Sequence, residues 1–163
     1  MDRLLLTGTL RRHPAFPPIR KRLPAAKAQL GPSMPRILIA DDSATIRKMI
    51  RASLQAVEGA EFLEAASGFE AIEQLAVAAV QLVVLDLNMP DMHGIDVLRF
   101  VRRHQQYRAL PVIVLTTRGD DSSRHAATEA GATTYMTKPF APHLLAATAR
   151  ALLDSAALSA LRA

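Results

Sequence analysis

The feature that most constrains the fold of this chain is a fivefold alternation between short apolar segments and longer amphipathic ones. The short segments predict strands at residues 37–40, 61–65, 82–85, 111–115 and 133–137. The segments between and after them repeat apolar residues at helical spacing. They predict helices at about residues 43–57, 67–79 and 95–104, a fourth between the polar loop 117–122 and Gly131, and a fifth from 142 to 153 or beyond. Such alternation is typical of βαβ units.

The composition of the strands indicates where each lies in the sheet. Residues 82–85 are the most apolar, so we expect a central strand that is buried on both faces. Residues 61–65 are more polar and are expected at or near an edge. Five parallel strands joined by right-handed crossovers predict an α/β, doubly wound (βα)5 fold with the flavodoxin-like strand order 2-1-3-4-5.

Local signals predict several helix ends. Ser67 and Glu70 have the spacing of a capping box at the start of the second helix. Gly131 is placed to end the fourth helix as a C′ glycine. The last helix begins at Pro142, where a first-turn proline is tolerated, but Ala141 before it offers no side-chain cap.

Five polar residues follow or end four of the predicted strands: Asp41, Asp42, Asp86, Thr116 and Lys138. The carboxyl ends of strands in an open parallel sheet meet at one crevice, where ligands bind. Three carboxylates favour a hard divalent cation with oxygen ligands, typically Mg²⁺. A lysine and a hydroxyl opposite them favour an incoming anion. The set therefore predicts a phosphoryl-transfer site.

The amino-terminal segment, residues 1–34, differs from the rest of the chain. It is rich in proline and arginine, shows no strand or helix period, and is expected to be disordered. It could be a natural basic arm or a targeting peptide, but we favour a start of translation at Met34, directly before the first strand. Residues 35–154 are expected to form one domain. Residues 155–163 are either a tail or an extension of the last helix, with Leu158 and Leu161 on an apolar stripe that could bind a partner.

Charge and composition exclude several classes of function. Of the 20 basic residues, eight lie in residues 1–36 with a single acid, so the remaining 12 basic and 14 acidic residues leave the folded part mildly acidic. We therefore expect no DNA binding. The longest apolar run, 75–85, is interrupted by Gln81 and is shorter than the ~20 residues of a membrane span, so no span is expected. The absence of cysteine excludes disulfides and fits a cytoplasmic protein.

Four motifs in order resemble the receiver domain of two-component response regulators, over residues 36–153. They are Ile-Leu-Ile-Ala-Asp41-Asp42-Ser, Leu85-Asp86-Leu-Asn88-Met-Pro90-Asp-Met-His-Gly94, Val-Leu-Thr116-Thr and Tyr135-Met-Thr-Lys138-Pro139-Phe140. Within the family, residues 41–50 and the position of Tyr135 are most similar to single-domain chemotaxis receivers.

The resemblance implies a role for each matching residue. Asp86 would be the phosphoacceptor, and Asp41, Asp42 and Asp86, with the backbone carbonyl of Asn88, would hold Mg²⁺, with Mn²⁺ as the alternative cation. Lys138 and Thr116 would bind the phosphoryl group. The remaining roles fall to Tyr135, which would report the switch by turning inward, and to Asn88 and Arg118, which would tune the rate of self-dephosphorylation. The Lys138–Pro139 bond is expected to be cis.

The resemblance also implies partners. The phosphodonor would be a sensor histidine kinase or a phosphotransfer protein, and the target would be a protein bound by the face of helix 4, strand 5 and helix 5. The sequence leaves open chemotaxis, an intermediate step in a relay, and regulation of a kinase. A haloacid-type phosphatase is a remote alternative, because Asp86-Leu-Asn88 lacks the Asp-x-Asp of that family. An FMN protein is disfavoured because Asp41 and Asp42 would repel phosphate.

Overall fold

A five-stranded parallel sheet carries the fold. The computed structural model describes residues 34–117 and 119–162, so the predictions for residues 1–33 and for Arg118 lie outside the described residues. The strands are β1 (Arg36–Ala40), β2 (Glu61–Ala65), β3 (Leu82–Leu85), β4 (Val112–Thr116) and β5 (Thr134–Thr137). The helices are α1 (Ala44–Leu54), α2 (Gly68–Val77), α3 (Gly94–Arg103), α4 (Asp121–Glu129) and α5 (Pro142–Leu161).

The strand order is β2-β1-β3-β4-β5, which confirms the predicted topology. All four strand pairs are parallel. As predicted, β3 is central and fully buried, and the more polar β2 is an edge strand.

Alternate residues of the central strands bury their side chains in two separate apolar cores. Ile39 and Leu115 pack with α1 and α5 on one face, whereas Leu38 and Val114 pack with α2, α3 and α4 on the other. The two-residue period of the strands therefore supplies both cores from the same segments.

The predicted caps are present. The Ser67 hydroxyl accepts from the Glu70 amide, and Glu70 Oε2 accepts in turn from the Ala66 amide, one residue before the usual partner in a capping box. Gly131 has φ of +100° and ends α4, with the amide of Ala132 donating to the Ala127 carbonyl as in a Schellman motif. Ala141 gives α5 no side-chain cap.

Some predicted boundaries were wrong. α1 ends at Leu54 rather than near Val57. Val57 is buried in the turn that follows, where its own amide donates to the Leu54 carbonyl. α4 begins at Asp121, inside the predicted loop, because the Asp120 side chain caps the helix by accepting from the Ser123 amide.

The last helix is longer than its core-facing part. α5 continues to Leu161, so residues 155–161 are helical, and Leu158 and Leu161 are exposed. By length and composition alone this helix could cross a membrane, which the length of the apolar runs did not predict because Arg150 and Asp154 interrupt this one. One such helix is weak evidence for a span, since core helices pass the same criteria, and α5 buries Leu145 and Ala149 against the sheet.

The close approach between α3 and the end of β3 generates a prediction about stability. A Cβ atom on Gly94 would lie 2.2 Å from the Asp86 carbonyl oxygen and 2.8 Å from Leu87 Cα. These are backbone atoms that cannot rotate away, so Gly94→Ala should lower the free energy of unfolding by about 1–3 kcal/mol, measured by urea denaturation. Gly119→Ala is the control, because its nearest contact, with Thr137 Cγ2, is 3.4 Å. An unchanged urea midpoint for Gly94→Ala would contradict the expectation.

Candidate functional site

The carboxyl ends of β1, β3 and β5 place three charged side chains in contact. Lys138, one residue past β5, directs its ammonium between the carboxylates of Asp41 and Asp86. Its Nζ lies 2.5 Å from Asp41 Oδ2 and 3.1 Å from Asp86 Oδ2. Asp41 and Lys138 are 97 residues apart in the chain, so only the completed sheet brings them together.

The acidic side of the site consists of Asp41, Asp42 and Asp86. One carboxylate oxygen from each lies within 4.8 Å of the others. Asp41 and Asp86 are 1% and 5% exposed, whereas Asp42 is exposed. Two carboxylate charges at this separation repel by about 3.5 kcal/mol at an effective dielectric constant of about 20. One ammonium among three carboxylates leaves a formal charge of −2.

Two further observations fit a divalent cation at this position. The Oδ1 atom of Asp86 is buried and accepts no hydrogen bond from the described residues. Burial raises the pKa of the Asp41 carboxyl, and this effect outweighs the hydrogen bonds from Lys138 and the Ser43 amide, which lower it. The ionised form of Asp41 is thus disfavoured in the fold, and a bound cation would offset that cost. Oxygen donors with this charge suit Mg²⁺.

Local structure after β1 orients the two adjacent aspartates. The Asp41 carboxylate accepts from the Ser43 amide, and Ser43, not Asp42, caps α1 by accepting from the Ile46 amide. Asp42 therefore does not cap this helix. Arg47, which the sequence did not single out, donates to the Asp41 carbonyl at 2.8 Å and pairs with Glu64 at 3.0 Å. Its position one turn into α1 was the available signal.

Thr116 and Asn88 form the side of the site that is not acidic. Thr116 is fully buried at the end of β4, and its carbonyl accepts from the Lys138 amide at 2.8 Å. The Asn88 side chain donates to the hydroxyls of Thr116 and Thr117, both at 3.3 Å. These contacts connect the loop after β3 to the end of β4. The metal-binding role predicted for the Asn88 carbonyl stays a prediction.

Tyr135 is outside this cluster but lies on the same face of the sheet as α4. It is half-buried in β5, opposite Val114 of β4, and packs against the core below α4. The Arg124 guanidinium of α4 is 5.0 Å from the centre of its ring. The Lys138–Pro139 bond is cis, as the resemblance implied.

Comparison with known proteins identifies the family. The family model described as "Response regulator receiver domain" matches residues 37–150. The chain is 37% identical over 111 residues to "Chemotaxis protein CheY1" of Helicobacter pylori, covering 68% of this chain and 90% of that protein. It is 39% identical over 121 residues to "Transcriptional regulatory protein ResD" of Bacillus subtilis, covering 74% of this chain and 49% of that protein. The structure of chemotaxis response regulator CheY4 of Vibrio cholerae matches with a TM-score of 0.68 and 34% identity, over 74% of this chain and 99% of that one.

Members of this family are signalling switches and not enzymes in the ordinary sense. They bind Mg²⁺ at an acidic pocket and interact with histidine kinases and downstream targets. The match over 37–150 includes all five strands except Arg36, the first residue of β1, and the site at their carboxyl ends. This chain therefore belongs to the response regulator receiver domain family.

Proposed function

We propose that the chain is a phosphorylatable switch in which Asp86 accepts a phosphoryl group from a phosphohistidine. The observation that carries the proposal is the buried Asp86 carboxylate, which contacts Lys138 through one oxygen and has no described hydrogen-bond donor for the other. The donor would be a sensor histidine kinase or a phosphotransfer protein, with acetyl phosphate as a second source.

The proposed transfer uses the side chains of the site in a defined order. An Asp86 oxygen attacks phosphorus in line, the new P–O bond forms as the P–N bond breaks, and the leaving imidazole nitrogen keeps the electron pair. Lys138 then pairs with a phosphoryl oxygen, and Thr116 donates its hydroxyl to another. Mg²⁺ held by Asp41, Asp42, Asp86 and the Asn88 carbonyl would offset the negative charge of the phosphoryl oxygens; Mn²⁺ is expected to substitute.

Loss of the phosphoryl group and the change in the target-binding face would depend on the same residues. Water attacks phosphorus, and the bond to Asp86 breaks to release phosphate, at a rate that Asn88 and Arg118 would tune. Movement of Thr116 would draw Tyr135 inward and change the face of α4, β5 and α5 that binds a target protein. The output would be a shift between two existing states.

The chemotaxis relatives favour a chemotaxis pathway and a cytoplasmic protein that binds another protein instead of DNA. The alternative is an intermediate phosphoacceptor in a relay or a regulator of a kinase, which would use the same site with another target. Identification of the protein retained by the phosphorylated domain would separate the two.

The phosphoacceptor is tested first. Incubation with acetyl phosphate and Mg²⁺ should add one phosphoryl group, seen by intact mass and removed by hydroxylamine as expected for an acyl phosphate. Asp86→Asn should abolish the gain. Asp91→Asn, an exposed change in the same loop at a residue with φ of +68°, is the matched control and should be phosphorylated normally. A gain in mass that is undiminished in Asp86→Asn would sink the proposal.

The cation is tested without phosphorylation. Because Mg²⁺ would bind only the folded site, each tenfold increase above its dissociation constant should add about 1.4 kcal/mol to the free energy of unfolding. Asp42→Asn should flatten this dependence, whereas Asp96→Asn on the exposed surface of α3 should preserve it. Mn²⁺ should act in the same way. Equal Mg²⁺ dependence in the two variants would exclude Asp42 as a ligand.

The coupling between site and surface is tested with Thr116→Ala. The variant should still bind Mg²⁺ and beryllofluoride, an acyl-phosphate mimic, because Asp86 and Lys138 are intact. It should lose most of the beryllofluoride-induced changes in the amide resonances of α4 and β5, recorded by NMR. Thr117→Ala is the control for loss of a neighbouring hydroxyl. If Thr116→Ala responds as fully as the wild type, the hydroxyl does not transmit the signal.

A further inference from the structure

Arg124 contacts the one aromatic ring that the proposed switch moves. It lies in the first half of α4, with its side chain exposed, and its guanidinium carbon is 5.0 Å from the centre of the Tyr135 ring. Cations within about 6 Å of a ring centre are attracted to its face. The contact therefore favours the orientation of Tyr135 observed here.

The sheet register places this contact next to the buried threonine of the site. Tyr135 pairs with Val114, and Thr137 pairs with Thr116 at the end of β4. Val114 and Tyr135 pack in the core below α4, and by the two-residue period Thr116 faces the same side. A ring that turned inward toward Thr116 would withdraw its face from the exposed guanidinium.

We propose that Arg124 is a positioning residue that holds Tyr135 in the resting orientation and so sets how readily the domain switches. The inference rests on the proposed roles of Thr116 and Tyr135 in the switch. Arg124 contacts neither the phosphoryl group nor the cation, and acts only through the ring.

The expected size of the effect follows from the exposure of the contact. A cation on an aromatic face at an exposed site changes an equilibrium by about two- to fivefold. If the contact exists only in the resting state, its loss raises the population of the switched state by that factor. The affinity of a ligand that selects the switched state should then increase by at most the same two- to fivefold factor.

The two tyrosines of the chain allow a direct measurement. With both replaced by 3-fluorotyrosine, the ¹⁹F spectrum has one signal from Tyr135 and one from Tyr107. Tyr107 is buried and donates to the Leu75 carbonyl at 2.8 Å, so its signal is an internal reference. Spectra are recorded in Mg²⁺ with increasing beryllofluoride for the wild type, Arg124→Ala and Arg124→Lys.

We expect Arg124→Ala to move the resting Tyr135 signal toward its beryllofluoride-bound position and to lower the half-saturating beryllofluoride concentration by about two- to fivefold. Arg124→Lys keeps the cation and should restore most of the wild-type behaviour. Arg51→Ala is the matched control, because Arg51 stacks on Phe62 at 5.7 Å at the opposite edge of the sheet. It should leave the Tyr135 signal unchanged.

The outcomes separate this inference from the proposed function. A Tyr135 signal and a midpoint that are equal in Arg124→Ala and wild type, with Mg²⁺-dependent beryllofluoride binding intact, would overturn the role of Arg124 alone. Failure of the wild type to bind beryllofluoride would overturn the phosphoacceptor and, with it, any role of Arg124 in switching. If Arg51→Ala shifts the Tyr135 signal and the beryllofluoride midpoint as Arg124→Ala does, the shift reflects general stability and the role of Arg124 is overturned.

Discussion

The ammonium of Lys138 between the carboxylates of Asp41 and Asp86 is the interaction on which the site depends. Each of the three groups lies just beyond a different strand, and all three are largely buried, so removing one would leave the charge of the others uncompensated. One lysine neutralises only part of the negative charge. The contact joins three strand ends and leaves a net negative charge, which a cation and then a phosphoryl group would alter in turn.

The same geometry connects the site to the proposed target-binding surface. The Lys138 amide donates to the Thr116 carbonyl, and Asn88 joins the loop after β3 to the hydroxyl of Thr116. These bonds connect three loops through one buried residue. A change in the partners of Thr116 would then be felt first in β4 and β5 and next in α4, which packs on β5.

Much of this could be predicted from the sequence, because the carboxyl ends of parallel strands meet wherever the strands themselves are recognised. Asp41, Asp86 and Lys138 follow such ends directly. Arg47 was missed because its bond to the Asp41 carbonyl depends on the rotation of α1 about its axis. The Arg124–Tyr135 contact depends likewise on how α4 lies across β5. The end of α1 was predicted too late because Val57, which is buried in the turn just beyond the helix, keeps the helical spacing of apolar residues.

The 97 residues that separate Asp41 from Lys138 have a consequence for how the protein is made. Contacts between distant parts of a chain form late in folding, because a large loop must close before they contribute. β5 is also the last of the five described strands to be synthesised, so a partly synthesised chain has Asp86 but not the lysine that pairs with it. An incomplete sheet would therefore lack the proposed site, and the proposed signalling would require that the whole sheet has been assembled.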